Sequence, residues 1–347
     1  MVTVTSVEGW FDNYPGIRDL TALRYTSVDT LKAKDMQVLT QLEKVTLPMT
    51  LQSIEDGAFS MSPGLRYVDG LMTGDDMVAK FSERGVKVFG IDSLQTLVYL
   101  PSTYTGEQGT NIVLDNGSTL TAKTFRLVDD KDYCVPYSFT AASVVNTRKL
   151  SGKNKVFSLF LPYELTLDAS VAKVYKPTGR DGSVVTLSQV ADGRMEVLKP
   201  YVIRLTAKKA VLDAAGERTI PASTGSLVTA DNEWVVPGYT MRGTARLIDN
   251  ATAADLGALV LNNGEWIRVT EDGKTNVAPF RAYMLESSNS GASALTMEFQ
   301  DNTTEISSPS PTLPQGEGEY YDLNGRKLSG QPKQGVYIHK GKKVVIK

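Results

Sequence analysis

The chain has a single cysteine, Cys134, and a single histidine, His339. One cysteine cannot close an internal disulfide, so Cys134 leaves the redox compartment undecided. Lying between Tyr133 and Val135-Pro136, it reads as a small core hydrophobe. One histidine and one cysteine cannot furnish the usual zinc ligand sets, and a Ser-His-Asp or Cys-His nucleophile would have to recruit His339 from the far C-terminal segment. Glycine-rich phosphate loops are missing too. There is no GxxxxGK[ST] and no GxGxxG behind a strand, and Gly152-Lys153 lacks the preceding glycine. No cofactor or metal site is expected, and the chain reads as a non-enzyme. Two carboxylates at glycosidase separation are a catalytic device that this composition leaves open.

Charge of one sign is lacking as well. Thirty-seven Lys and Arg against 39 Asp and Glu give a formal net charge of −2 without a long block of either sign, which argues against a nucleic-acid partner. No run approaches the roughly 18 apolar residues of a membrane-spanning helix. Met1-Val2-Thr3-Val4 has neither the basic nor the apolar region of a signal peptide, so an exported form would need a leader upstream. Asp129-Asp130-Lys131-Asp132 lacks the glycine and terminal glutamate of an EF-hand loop and reads as a solvated turn. The triplets at Asn116, Asn250 and Asn302 fit the N-glycosylation pattern but are too short to carry an argument.

What is present is a repeat, followed by many short strands. With 347 residues, 41% hydrophobic and 22% charged, the chain is long enough for two or three domains. A shift of 23 residues lays Val28, Leu31, Met36, Leu42 and Val45 over Leu51, Ile54, Phe59, Leu65 and Val68, a period within the 20 to 29 residues of leucine-rich repeats. Leu42-Glu43-Lys44-Val45-Thr46-Leu47 has the repeat's strand form, Leu65 to Leu71 repeats it with one residue inserted, and Leu97 to Thr103 is a stretched third copy. Residues 1–104 are therefore expected to form a short solenoid, with Leu42, Val45, Leu47, Leu65 and Val68 pointing inward. Lys44, Thr46, Tyr67, Asp69 and Tyr99 are expected on its exposed, ligand-binding face. So few repeats are near the minimum for a continuous core, so the array is expected to dock on the next region or to continue beyond Met1. Leu51-Gln52-Ser53-Ile54-Glu55-Asp56-Gly57-Ala58-Phe59 resembles the LxxIxxxAF segment of BspA-type leucine-rich repeats of bacterial surface proteins.

Residues 105–301 carry turn signals at Asp115-Asn116-Gly117, Arg180-Asp181-Gly182, Ala191-Asp192-Gly193, Asn262-Asn263-Gly264 and Asp272-Gly273. The runs between them, such as Val184 to Leu187 and Tyr201 to Leu205, are short and rich in β-branched residues. An antiparallel β-sandwich region, as one or two subdomains, is expected. Trp234, Trp266 and Tyr239 are available as a platform for sugars or as core. The phrases Phe139 to Leu150, Phe157 to Leu165, Lys199 to Leu205 and Ala278 to Met284 are similar to a β-rich module that follows leucine-rich repeats in secreted Prevotella and Bacteroides proteins, with Phe160 where many relatives have cysteine.

Residues 302–319, with Ser307-Ser308-Pro309-Ser310-Pro311 and Gly316-Glu317-Gly318, read as a semi-extended linker. In residues 320–347, Asn324-Gly325 marks a type I′ hairpin between Tyr321-Asp322-Leu323 and Arg326-Lys327-Leu328. A second hairpin across Lys340-Gly341 would place Val336, Ile338, Val344 and Ile346 on one face. The run from Tyr321 to Lys347 resembles the C-terminal sorting tail of secreted Bacteroidetes proteins. That resemblance implies handling by secretion machinery and a secreted or outer-surface location. The whole chain then reads as mainly β: a leucine-rich-repeat solenoid, an antiparallel β-sandwich region and a small C-terminal β module. Its implied role is non-enzymatic binding to a host extracellular protein or other cell-surface ligand. Glycan binding by the middle region and a purely structural surface role are the alternatives.

Overall fold

A computed structural model describes residues 3–70, 96–102, 108–223, 230–287, 292–302, 320–322, 326–328, 334–339 and 342–346. The chain divides into two compact units, Met1–Asp301 and Asn302–Lys347. Among the described residues both are built from strands with little helix.

The first unit begins as a stack. Strands Asp19–Leu20, Lys44–Thr46, Tyr67–Asp69, Leu97–Pro101 and Ile112–Asp115 pair in order, each parallel to the next. On the return side, Thr30–Leu31 pairs parallel with Ser53–Ile54. The 23-residue shift is visible in the bonding as well as the burial. Ser53 Oγ meets Thr30 Oγ1 at 3.0 Å, and the buried Ser62 hydroxyl donates to the Leu39 carbonyl at 2.7 Å, each across 23 residues. All ten apolar residues that the shift superimposes are buried together in one core. Alternation along each strand puts Val45, Leu47, Val68, Val98 and Leu100 on that inner side.

The other face of the ladder is not free. Tyr67, Leu97, Tyr99 and Val113 belong to a second core, shared with Tyr133, Val135, Phe139 and strands of the middle region. After Ile112–Asp115 the sheet continues through Leu120–Ala122 to Phe139–Asn146, which pairs parallel with Phe125–Leu127 and antiparallel with Ala214–Ile220. The repeat and the middle region thus share one sheet and one core.

The middle region departs from a simple antiparallel sandwich. Its large sheet has ten strands and is mixed, because Val184–Gln189 pairs parallel with Ala294–Gln300. It curls until its first strand, Val156–Phe160, reaches Arg281–Glu286. There Ser158 Oγ donates to the Ala282 carbonyl at 3.3 Å and accepts from the Ala282 amide at 3.2 Å. The interior of the curl is filled by Tyr175, Tyr239, Met241, Trp266 and Met284. The outer side of Val156–Phe160, Ala172–Asp181 and Pro200–Leu205 supplies the shared core. Two of the expected turns close tight hairpins. Asp181 faces Val184 and Asn262 faces Glu265, with Asn263 and Gly264 both at positive φ as a type I′ turn requires. Asp115-Asn116-Gly117 opens a longer hairpin, Asp115 facing Leu120. Gly193 turns the chain without pairing the strands on either side of it.

In the second unit, Tyr320–Tyr321, Gly335–His339 and Lys342–Ile346 form a three-stranded antiparallel sheet. Two registers differ from expectation. The Asp322 amide donates to the Arg326 carbonyl at 2.9 Å and Tyr321 bridges Lys327, whereas a two-residue Asn-Gly turn would set Asp322 opposite Lys327. Val344 stands opposite Tyr337, so it does not share a face with Val336 and Ile338. A register shifted by one residue reverses every side chain, and alternation alone cannot fix it where both faces carry apolar residues. Leu323-Asn324-Gly325, Lys340-Gly341 and linker residues 303–319 lie outside the described residues.

Gly70 ends the strand Tyr67–Asp69 at φ +83°, and a Cβ there would stand 2.5 Å from the Leu47 carbonyl oxygen. That oxygen is backbone of the neighbouring repeat and cannot swing aside. Gly70→Ala should therefore cost about 1–3 kcal/mol in urea denaturation; a loss below about 0.5 kcal/mol would contradict the packing described.

Candidate functional site

The five residues expected to bind ligand are in the ladder, but only part of the expected face is open. Tyr67, Tyr99 and Thr46 are buried, at 7%, 4% and 4% exposure, and Lys44 is half-buried and paired with Asp19. The expectation of a broad exposed face is thus corrected. The segment from Asp132 to Tyr137 lies against the outer side of the ladder. Arg66 Nη1 donates to the Asp132 carbonyl at 2.7 Å, and Tyr99 meets Tyr67 and Tyr137 edge to face at 6.5 and 5.6 Å. Burial raises the Tyr67 and Tyr99 phenols far above their ordinary range. Cys134 packs against the same core, and burial pushes its thiol up as well, which agrees with a structural role.

Among the described residues, part of this side stays open. A groove of about 550 Å³ lies beyond the covered part of the ladder, lined by Arg24, Asp69, Tyr99, Asp115 and Tyr137 among others. The strand Tyr67–Asp69 brings Asp69, Leu97–Pro101 brings Tyr99, and Ile112–Asp115 brings Asp115 at the mouth of its hairpin. Asp115 is held by the turn it opens, its Oδ1 accepting from the Gly117 amide at 2.7 Å. The Tyr137 ring is 46% exposed. The Tyr99 hydroxyl is buried and comes near the Tyr137 backbone without an ordinary hydrogen bond. Asp69 accepts from the Gly70 amide at 2.6 Å. Its carboxyl nevertheless sits above the usual range. Burial is the largest cause, and the negative charge of Asp115 adds to it, while the Gly70 amide, Arg24 and the Tyr137 hydroxyl pull the other way.

Of the five expected residues the groove gathers Asp69 and Tyr99. Arg24, Asp115 and Tyr137 went unanticipated. Asp115 carried a legible signal, since the Asp-Asn-Gly turn opens beside the last parallel strand. Arg24 and Tyr137 carried none, because they lie outside the repeat and arrive by packing. The aromatic platform fails on burial. Trp266 and Tyr239 are fully buried, and the half-buried Trp234 donates Nε1–H to the Pro200 carbonyl at 2.6 Å with Lys199 Nζ 4.4 Å above its ring. In the acidic run, Asp129 and Asp130 are engaged by Arg281 at 2.8 and 3.1 Å, which fits a structural turn.

A carboxyl with a raised native pKa lowers stability when it must ionise in the fold and stops doing so as falling pH protonates it. Asp69→Asn should therefore raise the denaturation midpoint at pH 7, and the gain should shrink as pH falls through the native pKa of Asp69. A gain that grows toward acid would show that Asp69 is held ionised instead.

Compared with known proteins, the chain matches no family model, no curated protein and no solved structure.

Proposed function

We propose that this chain is a non-enzymatic, exported surface protein that binds a protein partner in the groove between Asp69, Asp115 and Tyr137. The partner chemistry is a basic side chain. Two carboxylates face one arginine there, so an ammonium or guanidinium entering the groove relieves the repulsion that Asp115 exerts on Asp69. An exposed tyrosine ring beside two acids suits a cation as well, by its negative face. The observation that carries this reading is the gathering of Asp69, Asp115 and the exposed Tyr137 in one groove. Export and a surface location are inferred from the sequence resemblance of Leu51 to Phe59 to BspA-type repeats and of Tyr321 to Lys347 to sorting tails.

A second reading of the groove is glycoside hydrolysis. It is favoured by one observation: of two carboxylates in one opening, one is shifted toward its protonated form and the other is exposed. One set of variants separates the two. Against a panel of extracellular matrix proteins, Asp115→Asn and Tyr137→Ala should each weaken binding at least roughly tenfold, with the salt dependence reduced in Asp115→Asn. Unchanged binding in both would overturn the groove assignment. Release of reducing sugar from surface glycans, lost in Asp69→Asn and in Asp115→Asn, would replace the binding reading with the hydrolytic one.

A further inference from the structure

A second cavity, separate from the ladder groove, lies where the curled sheet closes. It measures about 610 Å³ and is walled by Val156, Phe157, Val260, Leu261, Ile267 and Val277, with Arg148, Arg268 and Arg281 at its polar side. That volume falls within the range of pockets that enclose small organic ligands, about 300–1,000 Å³.

The three arginines are not equivalent. Arg268 is paired with Glu286, which also receives Arg180 at 2.9 Å, and Arg281 forks onto Asp129. Arg148 has no carboxylate partner among the described residues. Its backbone is fixed by Asn146, whose Oδ1 accepts from the Arg148 amide at 2.9 Å, and its guanidinium lies 5.9 Å from the Phe157 ring centre. Nη1 donates to the Ser158 carbonyl at 2.9 Å, on the first strand of the curled sheet, and reaches the carbonyl of Phe280, just before the strand Arg281–Glu286, at 3.4 Å. Nε and Nη2 make no hydrogen bond among the described residues, yet neither is sealed off. One end of the guanidinium is thus committed to the fold, and the edge that can grip an anion with two parallel hydrogen bonds has no partner among the described residues. Burial, with Arg281 nearby, disfavours the charged form of Arg148, and Asp129 and Asp130 offset only part of this, so an incoming anion meets a cation short of water.

We infer that this cavity is a binding site for a small organic carboxylate, an apolar body bearing one carboxylate that pairs with the free Nε–Nη2 edge of Arg148. A monoanion fits better than a phosphate ester. With Arg180, Arg268 and Arg281 compensated by Glu286, Asp129 and Asp130, a single positive charge is left over, and a dianion would bring a second negative charge toward those acids. The apolar wall disfavours a bare inorganic anion, which would lose hydration and gain no contact in return.

The test is titration calorimetry of the full chain with octanoate, and with octanol and octyl phosphate as the uncharged and doubly charged counterparts. Octanoate should bind one per chain, and Arg148→Met, which keeps the aliphatic stem, should weaken it at least tenfold while leaving octanol unchanged. Ile267 is 37% exposed on the cavity wall and does not touch the fold-closing contacts of Arg148. Ile267→Trp should narrow the cavity and weaken octanoate at least fivefold, so the proposal remains testable even if Arg148→Met fails to fold. Absence of saturable octanoate binding up to about 10 mM, octanoate binding that neither substitution alters, or octyl phosphate binding as tightly as octanoate would each overturn the assignment.

Discussion

The rest of the first unit depends on burial of the parallel ladder on both of its faces. A parallel sheet has little polar surface to offer water, and a stack of a few short strands cannot be stable with one face bare. The inner face closes on the repeat's own apolar residues, and the outer face closes on the middle region through Tyr67, Leu97, Tyr99 and Val113. That second closure binds the repeat and the middle region into a single core. It also covers much of the ladder's outer face among the described residues, and the groove lined by Asp69, Asp115 and Tyr137 lies past the covered segment.

A second constraint acts where the middle sheet curls. Acids there are each shared between basic side chains from different strands. Glu286, whose side chain is 2% exposed, lies between Arg180 and Arg268, and Asp301 is held by Lys173, Arg204 and the Tyr175 hydroxyl at 2.9, 2.9 and 2.6 Å. Breaking one side of such a pair leaves an uncompensated charge, whereas the intact pair adds little net stability, so these clamps specify which strands meet more than they strengthen the fold. Arg148 follows the opposite logic: it binds the Ser158 and Phe280 carbonyl groups and has no carboxylate partner among the described residues, and for that reason its cavity stands out from the structural ion pairs around it.

Much of the architecture was legible. The 23-residue repeat showed where the inner core would lie, because each superimposed apolar position has to fill the same layer of the stack. The glycine turns at Asp115-Asn116-Gly117, Asp181-Gly182 and Asn263-Gly264 showed where hairpins would fold, because positive φ and side-chain-to-backbone hydrogen bonds are local requirements. The site was much less legible. Tyr67 and Tyr99 look outward by alternation, and so they are relative to the repeat's own core; nothing local tells that Tyr133 and Tyr137 will lie over them. Trp266 and Tyr239 likewise fit both a sugar platform and a core until the sheet curls around them.

The sequence by itself determined the mainly β character, the period of the ladder, its inner core and several of its turns, all of which follow from the spacing of apolar residues and the backbone needs of glycine and asparagine. It also determined that histidine and cysteine chemistry would be scarce. Only the tertiary structure decided which outer residues are covered, which strands meet across the curl, that Arg24, Asp69, Tyr99, Asp115 and Tyr137 share one groove, and that Arg148 lines an apolar cavity without a carboxylate partner among the described residues. Those outcomes rest on contacts between residues far apart in the chain, and the free energy of such contacts depends on partners that no local pattern names.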